Sequence, residues 1–230
     1  MRDWRRFAIY YTATGPLAEF GATWLGWDIA TGQPVPPPGR GKARPARIEA
    51  LTRTPRRYGF HATLKPPFRL AQGCREPDLL ASLRALAAGQ PPVALPGGLV
   101  LAALDGFSAL IPAAPCQDLQ DLAARVVAGV DDFRAPLTPQ DRARRNPDRL
   151  TPRQVQLLDE WGYPWVMDQF RFHMTLGGRL SPVAVEALIA SLRPHLAPFL
   201  PDPQLIDALT LVGEDAEGRF HQIERAPLNG

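Results

Sequence analysis

Two segments of the chain share the sequence Phe-His-x-Thr-Leu: RYGFHATLK at residues 57–65 and QFRFHMTLG at residues 169–177. Both are rich in residues that favour β-strands, and alternate side chains of a strand point to opposite faces. The histidine and the threonine of each segment are therefore predicted to share one face, while the phenylalanine, leucine and intervening apolar residue form the other. The chain is predicted to build two amphipathic strands, whose polar faces carry His61 with Thr63 and His173 with Thr175.

The repetition carries more information than either copy alone. A single His-x-Thr on an amphipathic strand is typical of an ordinary half-exposed strand. Two copies with matching apolar flanks use two of the four histidines in the chain. Imidazoles can act as general base and general acid near neutral pH, and hydroxyls can donate to phosphoryl oxygens. Neither polar face contains the carboxylate or cysteine that a zinc site would commonly include, so the residues indicate a two-histidine anion site without a metal.

The order of the remaining elements suggests an internal symmetry. A first strand is predicted at residues 6–12, and each motif strand is followed by a helix and then a hairpin. These helices are predicted at 76–88 and 182–196, with the hairpins at 93–111 and 205–225, and further helices at about 16–25, 116–130, 138–145 and 152–161. Residues 48–52 are predicted as a short strand or turn, and residues 31–46 as a loop. The pattern predicts an α+β fold with two pseudo-symmetric lobes, each an antiparallel sheet with helices outside, around a central cleft. We expect one bilobal domain over residues 1–230, with approximate halves 1–115 and 116–230.

Composition limits the function classes. The chain has 230 residues, 45% of them hydrophobic, which supports a sizeable core. Its formal net charge of only +3 disfavours long nucleic acid as a partner. Cys74 and Cys116 lack metal-ligand spacing. No signal-peptide pattern and no apolar run long enough for a membrane helix occurs, so we expect a cytoplasmic protein without a membrane partner.

The paired motifs resemble those of the 2H phosphoesterase superfamily, which is named for two His-x-Thr/Ser motifs. The longer strings RRYGFHATLKPPF (56–68) and WGYPWVMDQFRFHMTL (161–176) are similar to the branch of that superfamily associated with phosphonate metabolism. The resemblance extends over nearly the whole chain. It implies a metal-independent phosphodiesterase that opens a cyclic phosphodiester of a small, nucleotide- or sugar-derived substrate. His61 and His173 would be catalytic, Thr63 and Thr175 would bind phosphate, and no cofactor would be required.

Other residues near the motifs are candidates for substrate contacts. Lys65 and Arg171 are predicted on the same faces as the motif histidines, where each could neutralise a phosphate or be a solvated charge. Tyr11 and Tyr58 could stack on a base or sugar, or could pack in the core. A group of arginines between the two motifs is predicted to be a solvated face or to hold a polyanionic tail: Arg142, Arg144, Arg145 and Arg149.

The residues leave other functions open. A non-catalytic protein that binds phosphate or RNA ends could keep the same cleft. An RNA-end processing or ligase-like 2H enzyme could use the same histidines. The residues also do not assign the base and acid roles between His61 and His173.

Overall fold

The computed structural model describes residues 3–37 and 43–230. The strands are β1 (Arg6–Tyr11), β2 (Trp27–Asp28), β3 (Gln33–Pro34), β4 (Ala62–Phe68), β5 (Val93–Leu95), β6 (Leu99–Leu104), β7 (Phe107–Pro112), β8 (Met174–Thr175), β9 (Gln204–Ile206), β10 (Ala208–Glu214) and β11 (Phe220–Pro227). The helices are α1 (Gly15–Leu25), α2 (Ala46–Arg56), α3 (Glu76–Ala88), α4 (Gln117–Gly129), α5 (Pro139–Ala143), α6 (Pro152–Trp161) and α7 (Pro182–Leu196).

Seven strands form one antiparallel sheet in the order β11-β10-β1-β4-β8-β7-β6. The helices α1, α3, α4 and α7 bury their apolar residues in one large core against this sheet, which also takes in Phe7, Ile9 and Tyr11 of β1. We call this side of the sheet the helix face. The fold is therefore α+β with antiparallel sheets, as the sequence predicts.

The opposite side of the sheet, the cleft face, is only partly covered. Ala8 and Tyr10 of β1 pack there with Val212, Phe220 and the chain segment around Trp27. The indole nitrogen of Trp27 donates a 2.9 Å hydrogen bond to the carbonyl oxygen of Phe220, which fixes this segment over β10 and β11. The rest of the cleft face, over β4 and β8, is left for the motif side chains.

The hairpins cross between the two sequence halves. β10 and β11, from the second half of the chain, lie beside β1 and β4, whereas β6 and β7 lie beside β8. The two groups of strands join where Ala62 of β4 pairs with Met174 of β8. The β6–β7 hairpin of the first half therefore pairs with the second motif strand, β8, whereas the β10–β11 hairpin of the second half pairs with β1.

Several sequence predictions are corrected in detail. Residues 48–52 lie inside α2, whose apolar residues are too few to show a helical period. The second motif strand is regular only over β8, because the neighbouring backbone groups bond to irregular partners: the Leu176 carbonyl accepts from the Trp24 indole nitrogen at 2.6 Å. The first motif strand, β4, continues through Pro66 and Pro67 to Phe68. Part of the loop predicted at 31–46 lies outside the described residues.

No helix among the described residues is long and apolar enough to span a bilayer.

Candidate active site

Strand pairing brings the two motifs together. Ala62 lies directly opposite Met174 in an antiparallel pair, so the residues on either side are also neighbours across the strands. Antiparallel order places His61 next to Thr175 and Thr63 next to His173. Because the apolar partners Ala62 and Met174 are buried in the core, the motif side chains are turned to the cleft face.

The two imidazoles are anchored in the same way. The Nδ1 atom of His61 lies 3.0 Å from the carbonyl oxygen of Gly59, and the Nδ1 atom of His173 lies 2.8 Å from the carbonyl oxygen of Arg171. A carbonyl oxygen only accepts, so each Nδ1 carries the proton and each neutral ring keeps Nε2 as an acceptor. In both motifs the acceptor belongs to the residue two positions before the histidine.

Gly59 is required by this geometry. Its φ of +73° lies in the left-handed region, and a Cβ atom there would lie 2.7 Å from the Cβ of Ile29. The glycine lets the chain turn into β4 with its carbonyl directed at the His61 ring.

The hydroxyl of Thr63 completes the hydrogen bonds of His61. Thr63 Oγ1 lies 3.0 Å from His61 Nε2, and since Nδ1 holds the ring proton, the hydroxyl donates to Nε2. In this arrangement the first motif forms a closed unit of carbonyl, imidazole and hydroxyl. An incoming phosphate oxygen could replace Nε2 as the acceptor of the Thr63 proton.

Both histidines are held in the neutral form. Burial lowers the pKa of His61 to about 4, against the Gly59 hydrogen bond and with a contribution from the charge that His173 would carry. The pKa of His173 is also lowered, chiefly by burial and partly by the nearby Arg171 guanidinium. At neutral pH each Nε2 is therefore unprotonated.

Aromatic rings frame the histidines. The Tyr10 ring stacks on the His61 ring with centroids 3.8 Å apart, and the Tyr58 ring lies 6.1 Å from it. On the other side, the Phe107 ring meets the His173 ring edge to face at 5.7 Å. A cavity of about 400 Å³ lies among His61, Tyr58, Phe107, Thr175 and Arg179. The site is therefore a cleft that brings imidazole and hydroxyl groups together with apolar walls.

Lys65 does not reach this cleft. The register sets Thr63 opposite Tyr10 but Lys65 opposite Ile9, so two steps on β4 match one step on β1. This bulge breaks the alternation of side chains and turns Lys65 away from His61 and Thr63. Its ammonium group is buried, where it donates 2.7 Å hydrogen bonds to the Val127 carbonyl oxygen and to the carboxylate of Asp131. The prediction of a substrate contact is corrected to a structural role.

Of the two alternatives predicted for Tyr11, the structure shows packing in the core. Its side chain is buried on the helix face, its hydroxyl lies 3.2 Å from the Leu205 carbonyl oxygen, and the Gln204 amide donates to it at 3.0 Å. Alternation along β1 places Tyr11 on the side opposite Tyr10, so it packs in the core rather than contacting substrate.

Tyr58 and Arg171, the other two candidates for substrate contacts, lie near the cleft. Tyr58 lines the cavity and stacks on Phe220 with centroids 5.2 Å apart. Arg171 is exposed at the rim and pairs with Asp105 at 2.5 Å. The Arg171 guanidinium is close enough to help lower the pKa of His173, so its side chain could also reach an anion bound beside His173.

The sequence analysis missed Tyr10, Phe107 and Arg179. Tyr10 could have been found from β1 itself, because Phe7, Ile9 and Tyr11 mark one face and Tyr10 falls on the other. Phe107 follows the Asp105-Gly106 turn, but its pairing with the second motif is a long-range contact that no local pattern shows.

No three His, Cys, Asp or Glu side chains within residues 3–37 and 43–230 are grouped so as to hold a metal ion.

The fold and site define an α+β protein with a paired-histidine cleft. Residues 63–221 match the model of the family described as "Protein of unknown function (DUF1045)". The match covers more than half of the chain, and the chain belongs to this family.

Two curated relatives carry the name "Ribose 1,5-bisphosphate phosphokinase PhnN". The protein from Janthinobacterium sp. (strain Marseille) is 37% identical over 232 residues, covering 98% of this chain and 51% of the relative. The protein from Laribacter hongkongensis (strain HLHK9) is 33% identical over 224 residues, covering 96% of this chain and 51% of the relative. The chain therefore spans about half the length of these relatives.

Two solved structures are similar over nearly the whole chain. One, described as a phosphoesterase, has a TM-score of 0.46 at 14% identity and covers 99% of this chain and 100% of its own. The other, E. coli LigT complexed with NADP+, has a TM-score of 0.45 at 15% identity and covers 99% of both chains.

Proposed function

We propose that the protein is a metal-independent phosphodiesterase of the 2H type that opens a cyclic phosphodiester. The observation that carries the proposal is the matched anchoring of His61 and His173. Each Nδ1 donates to a carbonyl oxygen two residues earlier, which leaves two Nε2 atoms for chemistry on adjacent antiparallel strands. A binding site alone would need hydrogen-bond donors, not two neutral imidazoles.

The reaction uses one ring as base and the other as acid. His61, whose pKa is about 4, takes a proton from water on Nε2 as the water oxygen attacks phosphorus. The bond between phosphorus and one ring oxygen breaks, and protonated His173 gives its Nε2 proton to that oxygen. The product is an open phosphomonoester. His61 then releases its Nε2 proton to solvent and His173 takes one up, which restores the starting protonation states.

Substrate binding supplies the protonated ring. A bound phosphodiester is negative and lies against His173, so it favours the imidazolium form and raises the pKa of His173. The hydroxyls of Thr63 and Thr175 donate to the non-bridging oxygens and stabilise the charge that develops there. The apolar rings of Tyr58 and Phe107 would hold the sugar or base of the substrate.

The names of the relatives support a sugar phosphate as substrate and a link to phosphonate metabolism. A protein named as a ribose 1,5-bisphosphate phosphokinase contains a segment 37% identical to almost all of this chain. We do not assign the kinase reaction to this chain, because its sequence has no Gly-x-x-x-x-Gly-Lys-Ser/Thr loop to cradle a nucleotide triphosphate. We propose instead that the paired-histidine site acts on a cyclic phosphate of a pentose or nucleoside.

A panel of cyclic phosphodiesters, assayed with EDTA present, tests the proposal. It should contain pentose cyclic phosphates, nucleoside 2′,3′-cyclic phosphates and RNA with a 2′,3′-cyclic end. Turnover should survive chelation and fall on the order of 10²–10⁴-fold in His61→Ala and in His173→Ala. His195→Ala, which removes an exposed histidine far along α7, is the matched control and should keep full activity.

Other outcomes would favour the alternatives. Binding of a cyclic phosphate without turnover at any pH would indicate a binding protein. Activity confined to RNA ends would indicate an RNA-processing enzyme. Activity that EDTA abolishes and a divalent ion restores would make the histidines metal ligands.

A further inference from the structure

A second cavity, of about 220 Å³, lies outside the paired-histidine cleft. Six cationic side chains from separate parts of the chain line it: Arg6, Lys65, Arg69, Arg134, Arg144 and Arg145. We call it the basic cavity.

The carboxylates around the basic cavity do not balance its charge. Glu214 pairs with Arg6 at 2.5 Å. Asp131 is shared between Lys65 at 2.7 Å and Arg134 at 2.9 Å. Asp141 is likewise shared between Arg69 and Arg144, the latter at 3.7 Å. Three carboxylates thus face six cations, which leaves an excess of three positive charges.

Arg145 is the cation best placed to take a ligand. It forms no ion pair with any residue within 3–37 and 43–230, and its guanidinium carbon lies 4.7 Å from the centre of the Tyr163 ring. Stacking uses the flat face of a guanidinium and leaves the N–H groups at its edge free for an oxyanion. Tyr163 therefore holds Arg145 in position without satisfying its donors.

The basic cavity adjoins the paired-histidine cleft across the rings of Phe220 and Tyr58. Arg6 lines the cavity, and its guanidinium carbon lies 6.0 Å from the centre of the Phe220 ring. Phe220 stacks on Tyr58 with centroids 5.2 Å apart, and Tyr58 lines the cleft with His61. Tyr10 and Tyr58 are the rings beside His61, so one molecule of modest length could extend from the histidines into the cavity.

We propose that the basic cavity binds a phosphate group, and that this group belongs to the substrate whose phosphodiester lies at His61 and His173. The second half of the statement rests on the proposed function; the first does not. Phosphate is the favoured ligand because it carries up to two negative charges and several acceptor oxygens, which suit an excess of arginine donors. The substrate class is then a cyclic phosphodiester that bears a separate phosphate.

Binding of inorganic phosphate tests the cavity independently of catalysis. Calorimetry is performed on the His61→Ala/His173→Ala double variant, which removes the first anion site. This variant should retain one phosphate site, and adding Arg145→Gln should weaken that site on the order of 10- to 100-fold. Arg149→Gln is the matched control, because it removes an exposed arginine four residues away that does not line the cavity, and it should change the affinity less than about twofold. Thermal unfolding of each variant shows that the fold is intact.

Phosphate binding unaffected by both Arg145→Gln and Arg144→Gln would overturn the proposal. So would the absence of any phosphate binding in the double variant. Because neither histidine is present in these measurements, failure of the phosphodiesterase proposal would leave this result standing.

Kinetics distinguish the two sources of the phosphate group. If it is part of the substrate, Arg145→Gln should raise KM on the order of 10- to 100-fold for a cyclic phosphodiester with a second phosphate. KM for the same compound without that phosphate should stay within about twofold of wild type. If Arg145→Gln abolishes phosphate binding but changes neither KM, the cavity takes free phosphate, and the link to the substrate is wrong.

Discussion

The imidazole ring of His61 lies against the phenol ring of Tyr10, with centroids 3.8 Å apart and 24° between the ring planes. Tyr10 is fully buried and stands opposite Thr63 in the sheet register. Its hydroxyl finds no hydrogen-bond partner among the side chains and backbone that the structure describes. The ring, rather than the hydroxyl, therefore holds the imidazole in the orientation that directs Nδ1 to Gly59.

Replacement of Tyr10 should separate these two contributions. Tyr10→Phe keeps the ring and should retain activity within about threefold. It should be at least as stable as wild type, because a buried hydroxyl without a partner costs about 1–3 kcal/mol. Tyr10→Leu loses the stacked ring and should reduce kcat at least tenfold. Steady-state kinetics and urea unfolding measure both effects, and equal losses of activity in the two variants would show that the hydroxyl takes part.

The depressed pKa of His61 predicts a loss of stability in acid. The unfolded chain protonates His61 near its ordinary pKa of about 6.5, whereas the folded protein resists protonation down to about 4. Above pH 6.5 the ring is neutral in both the folded and the unfolded protein, and its contribution to stability is fully present. The free energy of unfolding then falls as the pH drops from 6.5 to 4. Because the ring is half-buried, we expect a contribution of about 2–3 kcal/mol over this interval.

Urea unfolding at pH 7 and pH 4 checks this contribution. Between the two pH values, the free energy of unfolding of His61→Asn should fall by about 2–3 kcal/mol less than that of wild type. His195→Asn, at an exposed position, is the control and should behave as wild type does. An acid-induced loss in His61→Asn as large as that of wild type would show that His61 is not the group responsible.

Local patterns predicted most of the helices and the shared faces of the motif side chains. Glu76–Ala88 could be bounded to the residue, because Pro77 and two acidic residues favour a helix start and Gly89 follows its end. The repeated Phe-His-x-Thr placed four side chains on two like faces. Strand alternation alone was enough for this, since the apolar partners of these side chains had to be buried.

The register between strands distant in the chain, and the irregular backbone, could not be predicted from the sequence. Alternation put Lys65 beside Thr63, but the bulge between β1 and β4 turned it toward Asp131. A bulge depends on both strands of a pair, and only one strand can be read from a local segment. The same limit hid the stacking of Tyr10 on His61, which arises from strands some 50 residues apart in the chain.

Lys65 should matter for stability and not for contact with the phosphodiester in the paired-histidine cleft. Its ammonium group is buried, and burial lowers its pKa while Asp131 opposes that shift. Lys65→Met removes one side of a buried ion pair but leaves Asp131 with Arg134, so we expect a loss of about 2–3 kcal/mol, below the usual cost of breaking such a pair. Urea unfolding measures the loss. KM for a cyclic phosphodiester without a second phosphate should stay within about twofold of wild type, and a larger rise at unchanged stability would return Lys65 to the paired-histidine cleft.

The motif threonines should act through their hydroxyls. Thr63→Val and Thr175→Val keep the shape of the side chain, and each should lower kcat/KM roughly 30- to 1000-fold, the effect of one donor worth about 2–4 kcal/mol. Thr63→Ser and Thr175→Ser retain the donor and should keep most of the activity. Steady-state kinetics on the best cyclic substrate measure this. Valine variants as active as the serine variants would rule out the proposed phosphate contacts.

The pH dependence of the rate should differ between free enzyme and complex. The profile of kcat/KM reports the free enzyme, in which both histidines have lowered pKa values, so its falling limb, set by loss of the acid proton from His173, should lie below pH 6.5. Bound phosphodiester favours the imidazolium form, and the falling limb of kcat should therefore lie at higher pH. The profile of His173→Ala should lack the falling limb, and that of His61→Ala should lack the rising limb. Each variant should also lose most of the activity. The profiles are measured with EDTA in all buffers.

Coincident falling limbs for kcat and kcat/KM would mean that the substrate does not raise the pKa of His173. If His173→Ala lost the rising limb and His61→Ala the falling limb, the base and acid roles would be reversed.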